Sequence, residues 1–225
     1  MNKLLLLIVM ILVTSASTYQ VQKGDLTKDV ELVTTKGTLV IRLSDSTPLH
    51  RNNFIKLVNQ HFYDGILFHR VMSQFMVQTG DPKSKNAKPG EALGQGGPGY
   101  AVPAEIKPYL FHKKGALAAA RTPDEINPTR ESNGSQFYLV HGRVYSDEEL
   151  NSVETRLNGY KIPEAHRAVY KTIGGTPSLD QKYTVFGEVI KGISVIDSIA
   201  AVTTGERNRP VEDVRIIKAT LIKRQ

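Results

Sequence analysis

Runs of β-branched and other apolar residues at Val30 to Thr35 and Thr38 to Leu43 flank Lys36-Gly37, which predicts a strand, a turn and a second strand. Thr47-Pro48 then reads as an N-cap followed by proline at the first helical position, with Leu49, Phe54, Leu57 and Val58 forming a partial apolar face. Asp64-Gly65 marks a turn, and Ile66 to Val71 and Phe75 to Thr79 read as two more strands. Residues 80–115 are rich in Gly, Pro and Lys and predict loop. The small-residue run Gly115 to Ala120 fits strand or helix, and its loop flanks favour a short strand. Gln136 to His141 and Tyr183 to Ile190 are further strands. Val195 to Ala201 is a short helix ending before Gly205, and Val214 to Ile222 is a closing strand.

One stretch breaks this β rhythm. Ser146-Asp147-Glu148-Glu149 is a capping box, in which the serine hydroxyl and the glutamate three residues on satisfy each other's backbone N–H groups. Leu150, Val153 and Leu157 follow at helical spacing, and Asn158-Gly159 would stop the helix. Pro163 opens a second helix through Val169 and Tyr170, stopped by Gly174-Gly175. Residues 146–176 therefore read as a helical hairpin inserted in a β framework.

The chain has 225 residues and no cysteine. At roughly 150 residues per domain, one domain is expected. Without cysteine there is no disulfide, thiolate metal site or cysteine nucleophile. Lys3 precedes ten unbroken apolar residues, Leu4 to Val13, and then the small and polar run Thr14 to Thr18. That is the layout of a secretory signal peptide over 1–17, cut near Ser17, with a lead-in over 18–29. The apolar run is shorter than the about 20 residues a membrane span needs, so no stable membrane insertion is expected after cleavage. Export follows, to a periplasm first and as a secreted protein second. The net charge of +7 is scattered without a basic run, which argues against nucleic acid.

Some motifs dissolve on inspection. Gly94 to Gly99 spells G-x-G-x-x-G, but Pro98 sits inside it and Tyr100-Ala101-Val102-Pro103 follows where a dinucleotide site needs a helix. Asn133-Gly134-Ser135 matches a glycosylation sequon of the kind short chains produce by chance. The six histidines show no zinc-ligand spacing, and no G-x-S-x-G elbow occurs.

Four segments remain. Phe68-His69-Arg70-Val71 runs on to Gln74-Phe75-Met76-Val77-Gln78-Thr79-Gly80-Asp81. Leu117-Ala118-Ala119-Ala120-Arg121-Thr122 and Asn133-Gly134-Ser135-Gln136-Phe137-Tyr138 follow. Thr176-Pro177-Ser178-Leu179-Asp180 leads to Tyr183-Thr184-Val185-Phe186-Gly187. Together they resemble the cyclophilin family of peptidyl-prolyl cis-trans isomerases, from about Val30 to Ile222 apart from the helical insert. The resemblance implies a mainly β fold, a closed eight-stranded antiparallel barrel capped by two helices, here carrying the inserted hairpin. It assigns 30–225 to the isomerase domain. The barrel interior would be packed side chains, so the site would lie on an outer face.

The resemblance also implies a chemistry. An amide C–N bond resists rotation by ~18–20 kcal/mol, and X-Pro bonds exchange unaided over tens of seconds or longer. Twisting removes conjugation and leaves a lone pair on the prolyl nitrogen. A fixed donor aimed there stabilises the twisted state above either planar one, and an acceleration of about 10⁵ asks for ~7 kcal/mol. No metal or cofactor is required. By resemblance Arg70 is the catalytic arginine, and its guanidinium stays charged at any working pH. Gln78 matches the glutamine that positions it and bonds the substrate backbone. Phe75, Met76, Tyr138 and Leu179 match the proline slot, Ala120 and Arg121 the segment pairing with the residue before proline, and Gln136 a further polar contact. His69 reads as structural.

Three positions depart from the family pattern: Tyr138 where many members have Phe, Tyr183 where many have His, and Ser178 where many have Trp. They imply an altered aromatic wall and weaker affinity for cyclosporin-type macrocycles. Partners implied are proline-containing polypeptides, met by a monomer. A non-catalytic proline-peptide-binding module or chaperone on the same fold is the alternative. Whether the 146–176 insert contacts substrate or is passive stays open at this level.

Overall fold

The computed structural model describes residues 21–157 and 159–224; the leader-like segment 1–17 and Asn158 lie outside them. After a 3-10 turn at Lys23–Thr27 come β1 (Lys28–Thr34), β2 (Gly37–Leu43), α1 (Pro48–Asn59), β3 (Arg70–Met72) and β4 (Met76–Thr79). Then follow β5 (Ala101–Val102), β6 (Ala116–Ala119), β7 (Ser132–Asn133) and β8 (Phe137–Val140). The chain continues through α2 (Asp147–Arg156), α3 (Glu164–Thr172), β9 (Val185–Lys191), α4 (Ser194–Ala200) and β10 (Ile216–Lys223). Eight strands form one antiparallel sheet in the order β10-β1-β2-β9-β6-β8-β4-β3, and β5 pairs with β7 apart from it. Among the described residues no helix is long and apolar enough to cross a membrane.

Strand periodicity decides where the core sits. Val71, Val77, Leu117, Phe137 and Leu139 point to one face and pack with Phe54, Leu57 and Val58 of α1 and Val195, Ile196 and Ile199 of α4. The alternate residues Met76, Ala116, Ala118, Tyr138 and Val140 form a second apolar cluster on the opposite face. Because β6 and β8 are covered on both sides, every residue in them is buried. Their small or apolar composition follows from that double burial.

Three expectations are refined. The predicted strand Ile66 to Val71 is divided. The Leu67 amide donates to Ser84 Oγ (3.0 Å) and its carbonyl accepts from Thr79 Oγ1 (2.8 Å), so side chains take the bonds a neighbouring strand would have made. Only Arg70–Met72 joins the ladder with β4. The sheet thus keeps two ends, β3 and β10, whose neighbouring segments are linked by the Leu67–Arg215 bridge and the flanking bonds Phe68 N–H to Val214 O, Ile216 N–H to Ile66 O and Gly65 N–H to Ile216 O, all 2.8 Å. Thr47 occupies the α1 N-cap without capping it. The Glu105 carboxylate instead accepts from the Leu49 and His50 amides at 3.1 and 2.9 Å, an acidic group against the positive end of the helix.

The insert forms as two helices, and the Ser146–Glu149 capping box is present. Buried Glu154 ties them, accepting from Lys161 Nζ (2.7 Å), Arg167 Nη1 (3.0 Å) and the Ile162 amide (3.1 Å). Its two roots are stitched by paired bonds between Arg143 and Gly175. A Cβ on Gly142 would collide with the Gly175 backbone, so the approach requires glycine.

Candidate active site

Arg70 is directly opposite Gln78 in the β3–β4 register, Gln78 is opposite Tyr138 in β4–β8, and Tyr138 is opposite Ala118 in β6–β8. Cross-strand partners share a face, so this row lies on the outer face, across the sheet from the Val71–Val77–Leu139–Leu117 row in the core. Arg70 Nη1 donates to Gln78 Oε1 (3.4 Å), and Gln78 Nε2 donates to Gln136 Oε1 (3.0 Å). Gln136 is buried and donates in turn to the Gly94 and Gly96 carbonyls at 3.0 and 2.7 Å.

The glycine-rich stretch finds its use here. Buried Asp81 Oδ2 accepts from the Gly94 and Gly96 amides at 2.6 and 3.1 Å, and a Cβ on Gly96 would strike that carboxylate. The loop wraps a side chain of this chain. Asn133 is similarly engaged, donating to Gly96 O (3.0 Å) and accepting from the Ser135 and Gln136 amides at 3.0 Å.

A cavity of about 940 Å³ opens over the row. Nine of the ten residues singled out in the sequence line it: Arg70, Phe75, Met76, Gln78, Ala120, Arg121, Tyr138, Leu179 and Tyr183. Gln136 is set behind Gln78. The apolar members are neighbours in the outer cluster. Tyr183 meets Tyr138 edge-on (6.0 Å, 83°), and the Arg121 guanidinium lies 4.6 Å over the Tyr183 ring.

Half of the cavity has no signal in the sequence. Its far wall is made by Pro89 to Gln95 and Gly205 to Val211. Buried Arg209 clamps these loops, its Nη1 donating to the Lys88 and Glu91 carbonyls at 3.0 and 2.6 Å. Two successive residues there, Arg207 and Asn208, hold positive φ of 56° and 58°. These loops carry neither apolar periodicity nor a local capping device that would mark them in the sequence.

His69 also lines the cavity and is 5 % exposed. Burial pushes its pKa down to about 4. In the unfolded chain it would titrate near ~6.5, so the fold favours the neutral ring. The resulting stability is complete above pH ~6.5 and is lost as pH falls towards 4, by roughly 3 kcal/mol. Burial lowers His50, His141 and His166 as well, so some acid lability has other sources. In His69→Phe, thermal melts between pH 7 and 4.5 should show a clearly shallower loss of Tm than the unsubstituted chain. An unchanged slope would remove His69 from the acid response.

A sequence profile of the cyclophilin type peptidyl-prolyl cis-trans isomerases matches residues 29–221. The chain belongs to that family. Relatives named as peptidyl-prolyl cis-trans isomerases include proteins of Staphylococcus haemolyticus and Staphylococcus epidermidis, 36 % and 37 % identical over 191 residues. Both alignments cover 83 % of this chain, and 87 % and 88 % of the relatives. A crystal structure of a Cryptosporidium parvum cyclophilin shares the fold at TM-score 0.64 and 22 % identity, covering 88 % of this chain and 99 % of that one. The same protein was also solved in the presence of the dipeptide Ala-Pro.

Two of the three departures from the common cyclophilin pattern fall in the cavity wall, where Tyr138 and Tyr183 pack against each other. Ser178 is exposed in the 3-10 turn Pro177–Leu179 and is absent from the lining, while its neighbour Leu179 faces in. No residue of 146–176 lines the cavity.

Proposed function

We propose that this cyclophilin isomerises X-Pro bonds of polypeptides bound along the outer face of its sheet, with Arg70 as the catalytic residue. The carrying observation is the line Arg70–Gln78–Gln136, which ends in a guanidinium at the edge of an apolar slot. Among the described residues Arg70 has one side-chain partner, Gln78, and no ion pair. Its remaining N–H groups are available to a prolyl nitrogen. The proline ring fills the slot between Phe75, Met76, Tyr138, Leu179 and Tyr183; Ala120 and Arg121 meet the residue before it. Gln136 acts through Gln78 and is a positioning residue. Metal and cofactor have no role in this mechanism, because bond rotation transfers no atom or electron.

The proposal includes three finer points. The barrel is closed by the Leu67–Arg215 bridge and its flanking bonds. The enzyme works as a monomer; its clients are exported ones, in a periplasm before outright secretion, and that location rests on the pattern of residues 1–17. It assists folding where slow X-Pro exchange limits it.

NMR exchange spectroscopy on an Ala-Pro-containing peptide tests the reading. Substoichiometric chain should bring cis/trans exchange from tens of seconds into the sub-second range. Exchange left at the unassisted rate, with the peptide bound, would favour the non-catalytic binding module.

A further inference from the structure

The wall of the slot is tied to the inserted helices by a buried polar chain. Tyr170 of α3 donates its hydroxyl to Asp180 Oδ2 at 2.7 Å. Asp180 Oδ1 accepts from the His112 amide and faces His112 Nδ1, both at 2.9 Å. His112 Nε2 is 3.0 Å from the Tyr138 hydroxyl. In the neutral tautomer with its proton on Nδ1, His112 donates to the carboxylate and its Nε2 accepts the Tyr138 O–H, an arrangement in which every proton points towards Asp180. All four side chains are at most 4 % exposed. A buried network of this kind holds its members only when each is satisfied, and here each is.

The return of the insert holds a second slot residue too. Thr176 Oγ1 donates to the Phe75 carbonyl at 3.2 Å, and the chain then passes directly into Leu179, a lining residue, and Asp180. Three residues of the slot, Phe75, Tyr138 and Leu179, are therefore anchored through the insert or its root.

We propose that Tyr170 is a positioning residue for the proline slot, and that the inserted helices, which do not touch the cavity, act as its brace through Asp180, His112 and Tyr138. The proposal rests on the slot assigned above. The brace acts on how well the ring is received and leaves Arg70 in place, so its loss raises KM and spares kcat.

Tyr170→Phe removes one hydroxyl and keeps the ring that packs in the insert. Its KM for the Ala-Pro peptide should rise about three- to tenfold with kcat unchanged. Tyr138→Phe breaks the chain at its other end and should raise KM similarly. In the double variant the two effects should not multiply, because both interrupt one chain. In the unsubstituted chain, saturating peptide should slow amide hydrogen exchange in α3, since coupling is reciprocal; this arm holds even where a variant folds poorly. Unchanged KM in Tyr170→Phe, multiplying losses in the double variant, or α3 exchange indifferent to peptide would each overturn the brace. A chain that never binds the peptide defeats the slot assignment itself; normal catalysis with an unmoved KM defeats only the brace.

Discussion

Arg70→Ala should lower kcat/KM for an Ala-Pro peptide by about 10²–10³, nearly all of it in kcat. The planar substrate offers the guanidinium little, because its nitrogen lone pair is conjugated. The twisted state offers a localised acceptor. A donor that gains its partner only on the way to the barrier contributes to kcat and hardly to binding. The fold should not confound the measurement. Arg70 is half-buried, lies on the outer face and makes one long bond, to Gln78 at 3.4 Å. Removing such a side chain is worth within about 0.5 kcal/mol of stability. Arg70→Lys should fall between, keeping the charge and losing the fork that lets one nitrogen hold Gln78 while others face the substrate. A kcat/KM in Arg70→Ala within about threefold of the starting chain, far below the loss expected of a transition-state donor, would take the chemistry away from this residue.

The parts of this site that were legible are those set by strand periodicity and by a short distinctive segment. Arg70 and Gln78 are eight apart, and one tight turn makes them partners. The insert was legible because its capping box is a local device: Ser146 and Glu149 satisfy each other. The N-terminus of α1 was not, since its acceptor Glu105 arrives from 56 residues away in sequence. Thr47 has the right side chain for a cap and spends it elsewhere, reaching back to the Ser44 carbonyl at 3.4 Å. Ile66 to Val71 reads as one strand because its residues favour one. Ser84 and Thr79, both distant, take the Leu67 backbone. The segment around Gln136 points to a substrate contact, while its burial behind Gln78 depends on where the Gly94 and Gly96 carbonyls stand. The brace could not be read at all, because Tyr170, Asp180, His112 and Tyr138 come from four separate segments. Apolar and turn residues announce themselves by spacing, whereas buried polar partners are found only once the chain has folded.

Two glycines separate conformational strain from close approach, and they carry the second large effect. Gly65 and Gly80 both hold left-handed backbone, at φ of +84° and +96°. Around Gly65 a Cβ would meet nothing within 4 Å. At Gly80 it would press on the Ser135 carbonyl oxygen and lie 2.7 Å from Gln136 Cα, both backbone atoms that no rotamer change can move. Gly65→Ala should therefore cost about 1 kcal/mol from strain alone. Gly80→Ala adds overpacking and should cost about 2–5 kcal/mol in all. For a chain of this size that is a Tm lowered by about 2–4 °C in the first variant and about 4–20 °C in the second. The Gly80 substitution should also reach the chemistry. Ser135 Oγ donates to the Gly80 carbonyl at 2.7 Å, and any outward shift of Ser135 and Gln136 moves the group that holds Gln78 in front of Arg70. At a temperature where both variants are folded, Gly65→Ala should retain its isomerase rate and Gly80→Ala should lose part of it. Equal Tm losses in the two variants would mean that β4 and the Ser135–Gln136 turn are not packed backbone to backbone. The support of Gln78 would then rest on the glycine loop at 94–96 alone.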